Sequence, residues 1–255
     1  MSTTRHPSAV VFDLNDTIVH GGEPGLRDRV SHAMARDLGV DPEAFTASVR
    51  DSFDARCRGT LGDLQQTILC LANRLGADPT RPAVRAAAER RLDLVRKLLS
   101  PAPQTLEMLD GLRRSGYRLG LISDCSAETP MLWRQTALAD RFDVTIFSCE
   151  MGIRKPDPAL YHAAAAGLGV MPEDCLYVGD GASDELAGAQ RAGMTALQVS
   201  IQVSDPVTHA DRSRLYGVRP WDGPIIENIT ELGSLLNTAD GVFTLSARYS
   251  NRKSV

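Results

Sequence analysis

Lysine is scarce in this chain of 255 residues, whose positive charge is carried almost entirely by arginine. The lysines are Lys97, Lys155 and Lys253, so a lysine that stands among polar loop residues is a candidate for a specific role. The net charge is -4 at pH 7, so the chain lacks the excess of basic residues that is typical of nucleic-acid-binding proteins. We therefore expect no nucleic-acid partner.

Long apolar runs are also missing. No stretch approaches the roughly 20 residues that a membrane-spanning helix needs, and the short apolar run before Asp13 is not a secretory signal. The five cysteines are scattered without the paired spacing of a metal site, which fits reduced thiols. We expect a cytoplasmic protein without membrane contact, and no residue pattern specifies an oligomeric state.

The most informative stretch is the apolar run at residues 9–12, which ends in Asp13, Asn15, Asp16 and Thr17. A short run rich in valine and bounded by polar residues predicts a buried strand. In an open parallel sheet, ligands bind at the edge where such strands end. By itself, the pattern is equally typical of a strand that stops at an Asx-type turn.

Helical periodicity dominates residues 21–100, and periods of helix and strand alternate from residue 101 onward. This alternation predicts a parallel sheet with helices on both faces and with all the strand ends at one edge. The expected fold is an α/β, Rossmann-like doubly wound sheet formed by residues 1–20 and 101–240, with a helical insertion over 21–100 and a tail over 241–255. The predicted strands after the first are 117–123, 144–148, 175–178 and 195–199; the predicted helices are 26–38, 43–57, 61–75, 81–99, 103–115, 127–138, 158–168, 184–192 and 228–236.

Carboxylates, one lysine and hydroxyl groups gather at the predicted strand ends. This combination suits a divalent cation and a phosphate group. The residues are Asp13 with Asn15 and Thr17, Ser123 with Asp124, Lys155, and Asp180 with Asp184 and Glu185.

These motifs resemble, in order and in position, those of the haloacid dehalogenase superfamily, in its phosphatase-type branch with a helical cap inserted after the first motif. The family's first motif, Asp-x-Asp-x-Thr, is matched at residues 13–17 except for its second Asp, where this chain has Asn15. The second, third and fourth motifs are matched by Ser123, by Lys155-Pro156, and by Gly179-Asp180 followed by Asp184 and Glu185.

The resemblance implies an Mg²⁺-dependent hydrolase of a small phosphate ester. Asp13 would attack phosphorus and form an acyl-phosphate, which splits one hard step into two easier ones. Lys155 and Ser123 would hold the phosphoryl group, with Thr17 and Asp124 as further candidates for substrate contact. The implied metal ligands are Asp13, the backbone carbonyl of Asn15, Asp180, and either Asp184 or Glu185.

Asn15 departs from the family pattern at the general acid–base. A carboxamide cannot exchange a proton near neutral pH, and the loss of such a group costs about 10²–10⁴ in rate. Two interpretations are open: a phosphatase impaired by a substitution that traps substrate, or a native asparagine in a slow phosphatase or a silent phosphometabolite-binding protein. Metal-free dehalogenation is disfavoured because Asp180 retains the metal carboxylate, and phosphonate cleavage is disfavoured because Lys97 is the lone lysine in the predicted cap.

The leaving group would be recognised by the cap. The segment Arg58-Gly59-Thr60 resembles the cap substrate loop of sugar-phosphate members, so Arg56, Arg58 and Thr60 are candidate contacts. We expect a sugar or polyol phosphate as substrate. The alternative interpretation of this segment is a helix-ending turn with an exposed arginine.

Overall fold

A computed structural model describes residues 6–200 and 220–236. Its centre is a six-stranded parallel sheet in the order β3-β2-β1-β4-β5-β6. The predicted α/β fold with a doubly wound sheet is therefore confirmed. The strands are β1 (Ala9–Phe12), β2 (Arg118–Ser123), β3 (Val144–Phe147), β4 (Cys175–Gly179), β5 (Thr195–Val199) and β6 (Ile225–Ile226).

Five helices separate β1 from the rest of the core, and the later helices alternate with the strands. The first group, which we call the helical insertion, comprises α1 (Leu26–Leu38), α2 (Pro42–Asp51), α3 (Phe53–Cys57), α4 (Leu64–Arg74) and α5 (Arg81–Leu98). The others are α6 (Pro103–Arg114), α7 (Glu128–Trp133), α8 (Ser148–Met151), α9 (Pro158–Leu168), α10 (Glu185–Arg191) and α11 (Leu232–Leu236).

Successive residues of β1 point to opposite faces of the sheet, as strand geometry requires. Val10 and Phe12 pack into an apolar cluster that includes residues of α6, α7 and α11. Ala9 and Val11 pack into a second cluster with residues of α9 and α10. Both faces of the sheet are thus covered by helices, which explains why β1 reads as an unbroken apolar run.

The helical insertion has an apolar cluster of its own, to which Phe45, Ile68 and Leu71 contribute fully buried side chains. Three of its helices, α2, α4 and α5, begin at side-chain caps, which are Asp41, Asp63 and Thr80. The Asp63 side chain accepts a hydrogen bond from the Gln66 backbone N–H, and the Gln66 side chain accepts one from the Asp63 N–H. This capping box explains why α4 begins at residue 64 rather than at 61.

The predicted and observed elements differ mainly where helices are short. The helix predicted over 43–57 is interrupted at Ser52 and so forms α2 and α3, and the one predicted over 127–138 ends at Trp133. Strand β6 and helix α8 have two and four residues, too few for a periodicity to develop, and neither was predicted. The predicted tail over 241–255 lies outside the described residues. Among the residues described, none of the helices has the length and apolar character needed to cross a membrane.

The strand order places a crevice beside β1. The chain moves from β1 to β2 and β3 on one side, and then to β4, β5 and β6 on the other. Ligands bind at the carboxyl ends of the strands where the order reverses in this way. Phe12 and Val178 are partners in the register, so Asp13 and Asp180, which follow β1 and β4, both lie at this edge.

Candidate active site

Three buried carboxylates meet at the edge of the sheet. Asp13, Asp180 and Glu185 each offer a carboxylate oxygen, and these oxygens lie within 4.8 Å of one another. Asp13 and Asp180 are 5% and 4% exposed, and Glu185 is fully buried. The expectation that Asp13 and Asp180 lie close enough to share a metal ion therefore agrees with the geometry.

Lys155 lies between two of these carboxylates. Its ammonium group donates hydrogen bonds to Asp13 Oδ1 and to Glu185 Oε2. Burial opposes the charged form of this lysine, but the carboxylates of Asp13 and Glu185 outweigh it and raise the pKa of Lys155. The lysine therefore stays protonated and holds a fixed positive charge against Asp13.

One lysine does not neutralise the cluster. Burial raises the pKa of Asp13 to about 7 against the opposing charge of Lys155, and the Glu185 carboxylate adds to the rise. Burial and the charge of Asp180 likewise raise the pKa of Glu185 to about 7. A bound divalent cation would offset both the burial of these carboxylates and the repulsion between them. Since all of the donors are oxygens, the set fits Mg²⁺.

The orientation of Glu185 depends on the turn that precedes it. Ser183 and Asp184 have φ values of 58° and 54°, in the left-handed region, and α10 begins at the next residue. The Glu185 carboxylate then accepts hydrogen bonds from Gly181 N at 2.9 Å and from the Tyr177 hydroxyl at 2.8 Å. Gly179 leaves room for it, since a Cβ there would lie 2.2 Å from Glu185 Oε1.

Asp184 points away from the carboxylate cluster. Its side chain forms an ion pair with Arg191 at 3.3 Å, and it is not a member of the group whose oxygens converge. Of the two acids that the sequence offered for this position, the geometry brings Glu185 to the site.

Two hydroxyl groups near the strand ends lack partners. Ser123 at the end of β2 is fully buried and Thr17 is 3% exposed. Within the described part of the chain, neither hydroxyl has a hydrogen-bond partner. A buried polar group without a partner costs about 1–3 kcal/mol, so an unpaired hydroxyl at a site is a donor available to a ligand.

The loop after β1 turns back sharply. Asp16 has a φ of 61°, and its carboxylate accepts a hydrogen bond from Gly21 N at 2.9 Å. Asn15 forms an isolated bridge with Val19 and is half-buried. The strand thus ends at a turn that the Asp16 carboxylate closes five residues on, and this turn coexists with the carboxylate cluster.

Asp124 serves the loop that carries Lys155. One of its oxygens accepts from the Lys155 backbone N–H at 3.0 Å, and the other accepts from Arg154 Nε at 3.2 Å. Both oxygens of its carboxylate bind protein groups, so Asp124 supports the loop beside the site, and its expected contact with the substrate stays a prediction.

The candidate contacts in the helical insertion also bind protein groups. Arg58 pairs with Asp54 at 2.9 Å, and the Thr60 hydroxyl donates to the Ala55 carbonyl at 3.0 Å. Arg56 donates to the Ser126 hydroxyl at 2.9 Å, across to the core. The segment therefore ends α3, as the alternative interpretation held, and it lies at the contact between the insertion and the core.

Two residues of the site, Tyr177 and Arg154, were not predicted from the sequence. Tyr177 is a fully buried phenol in β4 that contacts Lys155 and Glu185. A tyrosine two residues before Gly179 in an otherwise apolar strand was the available signal. For Arg154 the signal was its position directly before Lys155.

Comparisons with known proteins agree with the motif evidence. The model of the haloacid dehalogenase-like hydrolase family matches residues 7–193. The chain is similar to a glyceraldehyde 3-phosphate phosphatase of Methanopyrus kandleri, with 34% identity over 195 residues that cover 75% of this chain and 83% of the relative. It is also similar to a phosphoglycolate phosphatase of Rhodospirillum rubrum, with 32% identity over 209 residues and coverage of 79% and 83%.

Among solved structures, the fold is similar to that of a 2-haloacid dehalogenase from Pseudomonas syringae. The TM-score is 0.65 at 23% identity, with 89% of this chain and 97% of that chain covered. The family resemblance predicted from the four motifs is confirmed by the extent of these matches. The chain belongs to the haloacid dehalogenase-like hydrolases.

Proposed function

We propose that this protein is an Mg²⁺-dependent hydrolase of phosphoric monoesters that acts on a small phosphorylated metabolite. The observation that carries the proposal is the buried cluster of Asp13, Asp180 and Glu185, with Lys155 bound to Asp13. Relatives named as phosphatases, each covered over more than four fifths of its length, support the same class of reaction.

Asp13 is the proposed nucleophile. Its carboxylate oxygen attacks phosphorus, the bond between phosphorus and the ester oxygen breaks, and the leaving group keeps the electron pair. Water then attacks phosphorus, the bond between phosphorus and the Asp13 oxygen breaks, and inorganic phosphate leaves while Asp13 returns to a carboxylate and the proton of the water passes to solvent. Lys155 and the unpaired hydroxyls of Ser123 and Thr17 hold the phosphoryl oxygens during both steps.

Asp13, Asp180 and Glu185, with the backbone carbonyl of Asn15, are the proposed ligands of the magnesium ion. When bound, the ion supplies positive charge that offsets the approach of the phosphate dianion to a carboxylate. Asp184, which pairs with Arg191, is not proposed as a direct ligand.

Asn15 stands at the position of the family's general acid–base, and its carboxamide has no proton to exchange near neutral pH. We therefore propose that hydrolysis by this chain is impaired at protonation of the leaving oxygen and at activation of water. The same residue favours the second candidate function, a weak or silent protein that binds phosphorylated metabolites.

The helical insertion is the proposed cap. Its helix α3 and the segment that follows reach the core beside the site, through Arg56 and Ser126. Arg58 and Thr60 remain the proposed contacts for a sugar or polyol phosphate, because they follow α3 on this side of the insertion.

The test compares the natural chain with Asn15→Asp in phosphate release from a panel of sugar, polyol and aryl phosphates, with Mg²⁺ and with a chelator. We expect Mg²⁺-dependent release that rises by about 10²–10⁴ in Asn15→Asp. Asn73→Asp, at an exposed position of α4, is the matched control and should leave the rate unchanged. If neither chain releases phosphate while both bind these esters, the binding function is correct and the hydrolase is wrong.

A further inference from the structure

Arg154, the residue before Lys155, contacts four residues that belong to three other segments of the chain. Its Nε donates to Asp124 Oδ2 at 3.2 Å and its Nη2 donates to the Ser183 hydroxyl at 2.8 Å. Its Nη1 forms an ion pair with Asp54 at 3.3 Å, and the guanidinium carbon lies 4.9 Å from the centre of the Phe53 ring. The side chain is 14% exposed, so each of its three nitrogens is directed at a protein group.

Two of these partners belong to the loops that form the candidate site. Asp124 directly follows Ser123, and its other oxygen accepts from the Lys155 backbone N–H. Ser183 lies in the turn that aims Glu185 at the cluster. A change in the position of the Arg154 guanidinium would therefore move three loops together. These loops carry the Ser123 hydroxyl, the Lys155 ammonium group and the Glu185 carboxylate.

The other two partners belong to α3 of the helical insertion. Phe53 stacks on the guanidinium, and Asp54 also accepts from Arg58 at 2.9 Å. The end of α3 is in close contact with the core as well, since a Cβ on Gly59 would lie 2.3 Å from the Cys149 carbonyl oxygen. The insertion therefore meets the core here through an ion pair, a ring contact and a tight backbone approach.

We propose that Arg154 is a positioning residue that couples the docking of α3 to the geometry of the phosphoryl-binding groups. Each of its three nitrogens already donates to Asp124, Ser183 or Asp54, so we assign it a positioning role rather than direct contact with the phosphate. The coupling is reciprocal, so an occupied phosphate site should tighten the docking of α3, and a docked α3 should raise the affinity for phosphate. The inference rests on the proposed function, because it takes Ser123 and Lys155 as phosphate-binding groups.

The test measures the affinity for inorganic phosphate by calorimetry, in the presence of Mg²⁺, in the natural chain, Asp54→Asn and Arg154→Lys. Asp54→Asn removes the ion pair to α3 and leaves the contacts of Arg154 with Asp124 and Ser183 in place. We expect about a two- to fivefold weaker affinity, the size of a partly exposed ion pair. Arg154→Lys keeps the positive charge but loses the planar guanidinium whose N–H groups point in several directions. We therefore expect the affinity for phosphate to fall about tenfold.

The direction of the change separates coupling from simple electrostatics. Asp54→Asn removes a negative charge near an anion site, so electrostatics alone predicts tighter phosphate binding. The matched control is Asp28→Asn, which breaks an ion pair with Arg50 inside the insertion and should leave the affinity unchanged. A second measurement follows amide hydrogen exchange in residues 53–57, where phosphate should raise protection in the natural chain and less in Asp54→Asn.

Unchanged or tighter phosphate binding in Asp54→Asn overturns the inference. The inference is also overturned if phosphate does not alter the hydrogen-exchange protection of residues 53–57 in the natural chain. A natural chain that binds no phosphate overturns the proposed function as well. The two failures are distinguishable, because in the first case the natural chain still binds phosphate.

Discussion

Glu128 of α7 and Arg91 of α5 form a buried ion pair that joins the core to the helical insertion. The distance from Arg91 Nε to Glu128 Oε1 is 2.7 Å, and the side chains are 12% and 4% exposed. Ser126 donates a hydrogen bond to the same carboxylate oxygen at 2.8 Å and accepts one from Arg56. Two arginines of the insertion thus converge on a single carboxylate of the core.

Glu128→Gln should lower the free energy of unfolding by about 3 kcal/mol, because it leaves the buried guanidinium of Arg91 without a counter-charge. Urea unfolding provides the measurement. Glu89→Gln, on an exposed position of α5, the helix of the partner Arg91, is the matched control and should stay within about 0.5 kcal/mol of the natural chain. Equal stabilities of the two variants would contradict the prediction.

The same pair predicts a loss of stability in acid. Burial opposes ionisation of Glu128, but the charges of Arg91 and Arg56 lower its pKa from 4.5 to about 2. A carboxyl whose pKa is lower in the folded state contributes stability above its unfolded pKa and loses it as the pH falls through the folded one. Between pH 4.5 and about 2, the natural chain should therefore lose about 3 kcal/mol more than Glu128→Gln. Parallel pH profiles of urea unfolding for the two proteins would exclude this account.

Ser123→Ala should separate activity from stability. The serine hydroxyl is buried and has no hydrogen-bond partner among residues 6–200 and 220–236, so its removal should leave the free energy of unfolding unchanged or raise it by about 1 kcal/mol. Phosphate release should fall by about 10² if the hydroxyl stabilises the phosphoryl group. The control is Ser148→Ala, which removes a buried hydroxyl that accepts from Cys125 N at 3.0 Å and should cost about 1 kcal/mol. A stability loss in Ser123→Ala equal to that of Ser148→Ala would argue for a purely structural serine.

Metal binding should discriminate between Asp184 and Glu185. Mg²⁺ at about one hundred times its Kd should stabilise the natural chain by about 3 kcal/mol, seen as a rise in Tm. Asp184→Asn should keep this rise, because its carboxylate pairs with Arg191. Asp180→Asn and Glu185→Gln should lose it, because each removes an oxygen from the cluster. A response that survives both of these changes but not Asp184→Asn would reverse our assignment of the ligands.

The dependence of the rate on the leaving group should show whether Asn15 limits protonation of the leaving oxygen. An alkyl leaving oxygen needs a proton as its bond to phosphorus breaks, whereas a phenolate with a low pKa does not. The natural chain should therefore prefer aryl phosphates with acidic phenols, and kcat/KM should fall steeply as the pKa of the phenol rises. Asn15→Asp should flatten this dependence. Equal slopes for the two proteins would show that position 15 does not control protonation.

Much of the core was predictable because its signals are local. The apolar run of β1 is buried on both faces, and Asp13, Ser123 and Asp180 each follow or end a strand whose length and composition are visible in the chain. Parallel strands bring such residues to one edge whatever the details of packing. The order of the motifs was therefore enough to place the candidate site.

The remaining features depend on contacts between residues far apart in sequence. Asp184 and Glu185 are neighbours, and only the left-handed turn at residues 183 and 184, together with the Tyr177 hydroxyl and Gly181 N–H, decides that Glu185 faces Asp13. The short strand β6 forms because β5 offers it an edge. Two residues are too few to form a periodic pattern, so the sequence did not predict this strand.

The sequence by itself determined which residue types stand at the ends of the strands, because burial and strand length leave a pattern along the chain. The tertiary structure alone decided which of their side chains converge, and which serve as supports. Arg154 illustrates the division, since its charge is plain in the sequence but its partners Asp54, Asp124 and Ser183 come from three separate segments. Side-chain direction depends on turns and on partners supplied by the whole fold, and no local pattern encodes it.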